Sequence, residues 1–169
     1  MAAGETAEGQ AIMNDAALAR AIHVVSVVAW IGGVSFVTSV LMPAIRRAHQ
    51  PDDRLAAFLR YENAFSWQAR ISVAAAGLSG LYLLWRFDLW ARFQFARFWW
   101  MHAMAGLWLV FAALLFAIEP LVLHRRMAAA VGTIRSAPMF ARMEKMHRLL
   151  LALSLLTVFA ATGGAHGLF

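Results

Sequence analysis

The chain has 169 residues, of which 62% are hydrophobic and 14% are charged. It contains no cysteine, which excludes disulfides, thiolate metal sites, iron–sulfur clusters and thiol catalysis. The net charge of +6 does not indicate a nucleic-acid partner, because membrane topology explains where the basic residues lie. Several apolar runs are long enough to cross a bilayer, so the composition predicts an integral membrane protein.

The apolar runs predict an all-α fold, an antiparallel four-helix bundle that forms one transmembrane domain over residues 18–169. The preceding residues 1–17 carry acidic side chains without an early basic cluster, and we expect an exported tail. The predicted spans, in chain order, are residues 18–42, 66–85, 98–123 and 146–168. In the second span Ser72, Ala76 and Gly80 form a stripe of small residues that favours close helix packing, within the bundle or in a homodimer.

Basic residues decide the predicted orientation of the chain. They are concentrated in the connections 43–66 and 124–148, which are therefore expected to be cytoplasmic. Both termini would then be periplasmic, in a multi-pass protein of the bacterial inner membrane. Between the second and third spans, aromatic and arginine residues alternate from Trp85 to Trp100, as is typical of a segment at the outer interface.

Three histidines lie near the predicted outer ends of the spans: His23, His102 and His166. Imidazole within a membrane is energetically costly and usually has a function. The pattern predicts a b-type haem, with His23 and His102 as the preferred axial pair and His166 as the rival second ligand. The same histidines, with Met101 or Met104, are alternative copper ligands, because imidazole and thioether both suit copper.

Other residues near these histidines match the needs of a haem slot. Trp30 follows His23 by two helical turns on the same face and is expected to pack against a ring. Gly106 lies one turn beyond His102, where a small residue leaves room for a ring edge. Arg97 is a candidate partner for a propionate.

Ionisable residues also occur near the predicted inner ends of the spans. His124 and His147 define a second candidate haem site, with ordinary interfacial histidines as the alternative interpretation. Glu119 is costly in a membrane and is expected to pair with an arginine. Arg125 and Arg126 lie about a turn away, and Arg70 is its most plausible partner within the membrane. Glu119 and Arg70 are candidates for a proton relay, and Glu119 is also a candidate for a contact with quinone at the inner face.

The first span resembles the first helix of the copper resistance protein D (CopD) domain family. The resemblance rests on a histidine, a Trp-x-Gly-Gly motif and a terminal proline, here His23, Trp30, Gly32, Gly33 and Pro43. It implies copper uptake or periplasmic copper handling. The same signature is shared by the HemJ-type protoporphyrinogen oxidases, whose corresponding histidine binds haem. Those enzymes also use a lysine in the third span, whereas the one lysine here, Lys145, lies in a predicted loop.

These features predict a protein with one b-type haem, or two, that passes electrons from a quinol-type membrane donor to a periplasmic acceptor. A copper-binding or copper-transporting protein is the first alternative. A HemJ-like porphyrinogen oxidase and a non-catalytic membrane subunit are two more, so an oxidoreductase activity is left open. The expected partners are the lipid bilayer, quinone, a periplasmic redox protein or a second copy of the chain, and nucleic acid is not expected.

Overall fold

The structure, a computed structural model, describes residues 2–168, without the side chains of residues 2–12, 63, 64 and 122–124. Within that range all regular elements are helical. The α-helices are α1 (Ala2–Phe36), α2 (Met42–Ala48), α3 (Arg54–Arg86), α4 (Trp99–Ala112), α5 (His124–Ala130) and α6 (Ser136–Ala165). Two π-helical segments, Val37–Leu41 and Ala113–Leu123, join α1 to α2 and α4 to α5. Two 3-10 turns, Leu89–Gln94 and Ala96–Phe98, precede α4.

Three helical stretches are long and apolar enough to cross a membrane: Met13–Ala48, Ala96–Leu121 and Ser136–Ala165. They correspond to the first, third and fourth predicted spans. The 33 residues of α3 include the predicted second span, but Arg70 and several serines make this helix less apolar than the others. The crossing by α3, the four-helix bundle and the periplasmic termini therefore stay predictions.

The small-residue stripe of α3 packs against α1. Ser72 and Ala76 are buried, and a Cβ added at Gly80 would lie 3.1 Å from Cε1 of His23. The expected close approach of helices is thus confirmed, and it occurs within one chain. α1 itself begins at Ala2, so the predicted tail continues this helix without a break.

An apolar cluster joins the ends of the helices at the side predicted to be cytoplasmic. Its buried members come from α2, α3, α5 and α6 and are Met42, Ile45, Leu55, Phe58, Met127, Ala130, Phe140 and Met143. The Ser136 hydroxyl also donates a hydrogen bond of 2.6 Å to the Asp52 carbonyl, linking the two inner connections. These contacts fix the start of α3 against the start of α6.

Each π-helical segment contains a proline or is followed closely by one. Pro120 is inside the second segment, and Pro43 follows the first by two residues. Proline has no N–H to donate to the preceding turn, and a local change of helical register accommodates that loss. The wider π turns lie on the inner halves of the first and third apolar stretches, where they border the cavity described below.

Candidate functional site

His23 lies between α1 and α3. Its Nδ1 donates to the Ala76 carbonyl at 2.9 Å and lies 3.2 Å from the Ser79 hydroxyl. Because the Nδ1–H bonds a carbonyl, Nε2 is the unprotonated nitrogen, as in many metal-ligating histidines. His23 therefore holds two helices together and keeps one nitrogen suited to ligation.

The other outer residues have different neighbours. His102 is exposed, with its ring edge-on to Phe93 at 5.1 Å, and His166 bonds the carbonyl of Thr162 in its own helix. The Arg97 guanidinium lies over the Phe98 ring at 4.8 Å, while a Cβ added at Gly106 would meet nothing within 4 Å. The structure thus separates the predicted haem residues among several local contacts.

In the part of the chain that the structure describes, no group of three or more His, Asp or Glu side chains is arranged to hold a metal ion. α1 packs mainly on α3 and α4 mainly on α6, so the helices of His23 and His102 have different principal neighbours. Of the two, His23 alone has a bonded Nδ1 like that of a metal ligand. Ligation of haem or copper by His23, His102 and His166 stays a prediction of the sequence.

The haem prediction has a direct optical consequence. A b-type haem held by His23 gives split α and β bands in a reduced-minus-oxidised visible spectrum of the purified protein. We expect the His23→Ala variant to lose these bands, because an axial nitrogen is removed. A colourless wild-type protein, or bands unchanged in the variant, would contradict the assignment.

A cavity of about 130 Å³ lies at the opposite end, among α1, α3, α6 and the π-helical segments. Most of its wall is aliphatic or aromatic, and includes Val34, Leu114, Leu115, Met146 and Leu150. Its wall also includes the edge-to-face pair of Trp30 and Phe111, whose ring centroids are 4.7 Å apart. An apolar space with a few polar groups is the usual form of a small-molecule site.

Two residues of the cavity wall each carry a buried polar atom that lacks a hydrogen-bond partner. These atoms are the indole Nε1 of Trp30 and the Oε2 of Glu62, and within the described part of the chain no other buried side-chain nitrogen or oxygen is in this position. A buried polar group without a partner costs about 1–3 kcal/mol, so such groups are rare and call for an explanation. Here the two residues that carry these atoms line the same cavity.

Arg70 and Glu119 pair at the edge of this cavity, as expected. The Arg70 Nη2 donates to Oε1 of Glu119 at 3.0 Å, and its Nε donates to the Leu115 carbonyl at 3.2 Å. In a π-helical register the Leu115 carbonyl would accept from position 120, where proline has no N–H to give. Arg70 therefore supplies a bond that Pro120 cannot, as well as a counter-charge for Glu119.

His147 also lines the cavity, whereas its predicted partner His124 has a side chain outside the described residues. The Nδ1–H of His147 donates to the Met143 carbonyl at 2.9 Å, and the ring lies edge-on to Phe58. Its Nε2 is consequently an acceptor. A second haem between these two histidines stays a prediction.

No family model, curated protein or solved structure matches this chain. The likeness of its first span to the CopD and HemJ families stays a prediction, and the site has to be interpreted from its own residues.

Glu62 was not expected as a site residue, although a signal for it exists. It lies four residues after Phe58 and three after Leu59, which places a carboxylate on the apolar face of the helix. Glu62 precedes the predicted second span and lies outside the three apolar stretches. Burial and the neighbouring Glu119 carboxylate raise the pKa of Glu62 to about 7, against the opposing effect of Arg70.

Proposed function

We propose that this membrane protein binds the ring of a quinol or quinone in the cavity beside Trp30 and Glu62. The observation that carries the proposal is that two residues of the same mostly apolar cavity wall each carry a buried polar atom without a partner. A quinone oxygen would accept from the indole N–H, and a quinol hydroxyl would donate to the carboxylate. A quinol can satisfy both atoms at once, because its hydroxyl groups both donate and accept hydrogen bonds.

The size of the cavity suits a single ring. Its volume of about 130 Å³ is close to that of an engineered cavity of about 150 Å³ that binds benzene. Phe111 and Trp30 offer aromatic faces and edges to the ring, and the aliphatic wall suits an isoprenoid tail. Shape and polarity therefore both favour an amphiphile with a small aromatic head.

The sequence also predicts a b-type haem near the outer face, and ring binding at the inner cavity does not depend on it. Copper ligation by His23 and His102 with Met101 or Met104 stays the alternative prediction of the sequence. The polar groups and the size of the cavity favour quinol-type chemistry.

Gly33→Leu should abolish ring binding. Gly33 lines the cavity, and a Cβ there meets no heavy atom within 4 Å, so the leucine side chain can enter the space without disturbing the helix. We expect at least about a tenfold loss of affinity, corresponding to about 1.4 kcal/mol. Equilibrium binding of decylubiquinone to the detergent-purified protein measures it.

Gly32→Leu is the matched control for this experiment. Gly32 is the neighbouring residue of the same helix, is exposed, and also has room for a Cβ, but it does not line the cavity. Both changes replace a helical glycine by leucine and raise helix propensity equally. Equal affinities of the two variants, or no binding to the wild type, would show that the cavity is not a quinone site.

A further inference from the structure

The charges around the cavity do not balance. Arg70 is the cation that the described structure places against the cavity carboxylates, and two of its nitrogens are already engaged by Glu119 and the Leu115 carbonyl. Glu62 adds a second carboxylate, close enough to be repelled by Glu119, and its Oε2 has no partner. An ionised Glu62 would therefore be a buried charge that Arg70, already paired with Glu119, compensates only in part, and a proton would neutralise it.

We propose that Glu62 is the proton-exchanging group of this cavity, taking up and releasing one proton between the bound ring and the inner face. The inference deepens the proposed function and rests on it for the identity of the ring. Glu62 would then touch the ligand at the Oε2 that has no partner in the protein.

The position of Glu62 gives its proton a short path to water. It lies eight residues into α3, and the two residues before it, Arg60 and Tyr61, are exposed on the side predicted to be cytoplasmic. At about 1.5 Å per residue, Glu62 is only about 12 Å from the start of the helix. The route therefore needs little more than two helical turns.

Two charged groups act on Glu62, Glu119 of the second π-helical segment and Arg70 of α3, and the titratable His147 of α6 lines the same cavity. Glu119 disfavours an ionised Glu62 and Arg70 favours it. His147 has its Nδ1–H bonded to Met143, and its Nε2 can accept a proton in turn. These groups place the exchange of a proton at Glu62, because Glu119 is already paired with the Arg70 guanidinium.

The exchange moves one proton and no electrons. When a quinol hydroxyl binds, its O–H bond breaks, the proton forms a new O–H bond on the Glu62 carboxylate, and the electron pair stays on the ring oxygen. Release of the proton from Glu62 to water then restores the carboxylate. The reverse sequence delivers a proton from the inner face to a bound, anionic ring oxygen.

Infrared difference spectroscopy of the full-length protein in detergent, without added ligand, tests the proton on Glu62. Between about pH 5 and pH 9 the wild type should lose one carboxylic-acid carbonyl band with a midpoint near neutrality, and Glu62→Gln should lack that band. Glu119→Gln should shift the midpoint down by about one pH unit or more, because a repelling charge is removed and Arg70 is released.

Glu144→Gln is the control. Glu144 is another buried glutamate near the inner face, but it pairs with Arg46 and Arg148, so its removal should leave the band intact. A band that persists in Glu62→Gln, or no titrating band in the wild type, would overturn the inference. If Glu62 titrates but decylubiquinone does not bind, the proton site is supported and the proposed function is overturned. If decylubiquinone binds but Glu62 does not titrate, the proposed function is supported and the proton site is overturned.

Discussion

Gly77→Ala is expected to destabilise the fold strongly, although it adds a single methyl group. The new Cβ would overlap the indole ring of Trp108, which lies directly against Gly77. The Trp108 Nε1 donates to the Val73 carbonyl at 2.8 Å, so the ring cannot move aside without losing this bond. Overpacking costs about 1–3 kcal/mol and the hydrogen bond about 1 kcal/mol more. Thermal unfolding in detergent, followed by circular dichroism, measures the loss.

Gly106→Ala is the matched control for this change. Gly106 lies in α4, is exposed, and a Cβ there would meet nothing within 4 Å. Its replacement should be neutral or stabilise the protein by up to about 1 kcal/mol, through helix propensity alone. Similar melting temperatures for the two alanine variants would show that Trp108 does not hold α3 and α4 at this distance.

Arg70→Gln is expected to have the second large effect. It removes the cation that neutralises Glu119, exposes the Leu115 carbonyl to an apolar wall, and leaves two carboxylates facing each other across the cavity. Loss of one partner of a buried ion pair costs about 3–5 kcal/mol. Because the Arg70 side chain is about 35% exposed, we expect a smaller loss of unfolding free energy, about 2–3 kcal/mol.

The double variant Arg70→Gln/Glu119→Gln separates charge from packing. It removes both charges of the pair, and two amide side chains can still bond each other, so it should recover at least about half of the lost stability. Chemical denaturation of the wild type, Arg70→Gln, Glu119→Gln and the double variant completes the cycle. A double variant no more stable than Arg70→Gln would mean that the bond to Leu115, and not the counter-charge, is the stabilising element.

The sequence predicted those features that depend on a local pattern of residues within one helix or on the cost of a buried charge. Long apolar runs predicted the helical fold and four spans, and three of these correspond to stretches that are long and apolar enough to cross a membrane. The spacing of Ser72, Ala76 and Gly80 predicted a close helix contact, because residues four apart share a helix face. The pairing of Arg70 with Glu119 was expected because neither charge is tolerated alone in an apolar environment.

The candidate site was harder to predict because a cavity belongs to several helices at once. Trp30 was expected beside a haem near the outer face, but its indole lines the inner cavity with Glu62. Periodicity places a residue on a face of its helix, but not at a depth relative to residues of other helices. The same limit applies to His23, where nothing in one helix shows that its partner would be a backbone carbonyl of α3.

In the π-helical segment Ala113–Leu123, the direction in which Glu119 points depends on the number of residues that precede it. Deleting one residue upstream of Glu119 would turn that carboxylate by about 100° around the helix axis, away from Arg70. Inserting one residue would turn the carboxylate by the same angle in the other direction, also away from Arg70. Replacing neighbouring side chains would not restore the ion pair in either case. Variants that change the length of this segment should therefore no longer pair position 119 with Arg70.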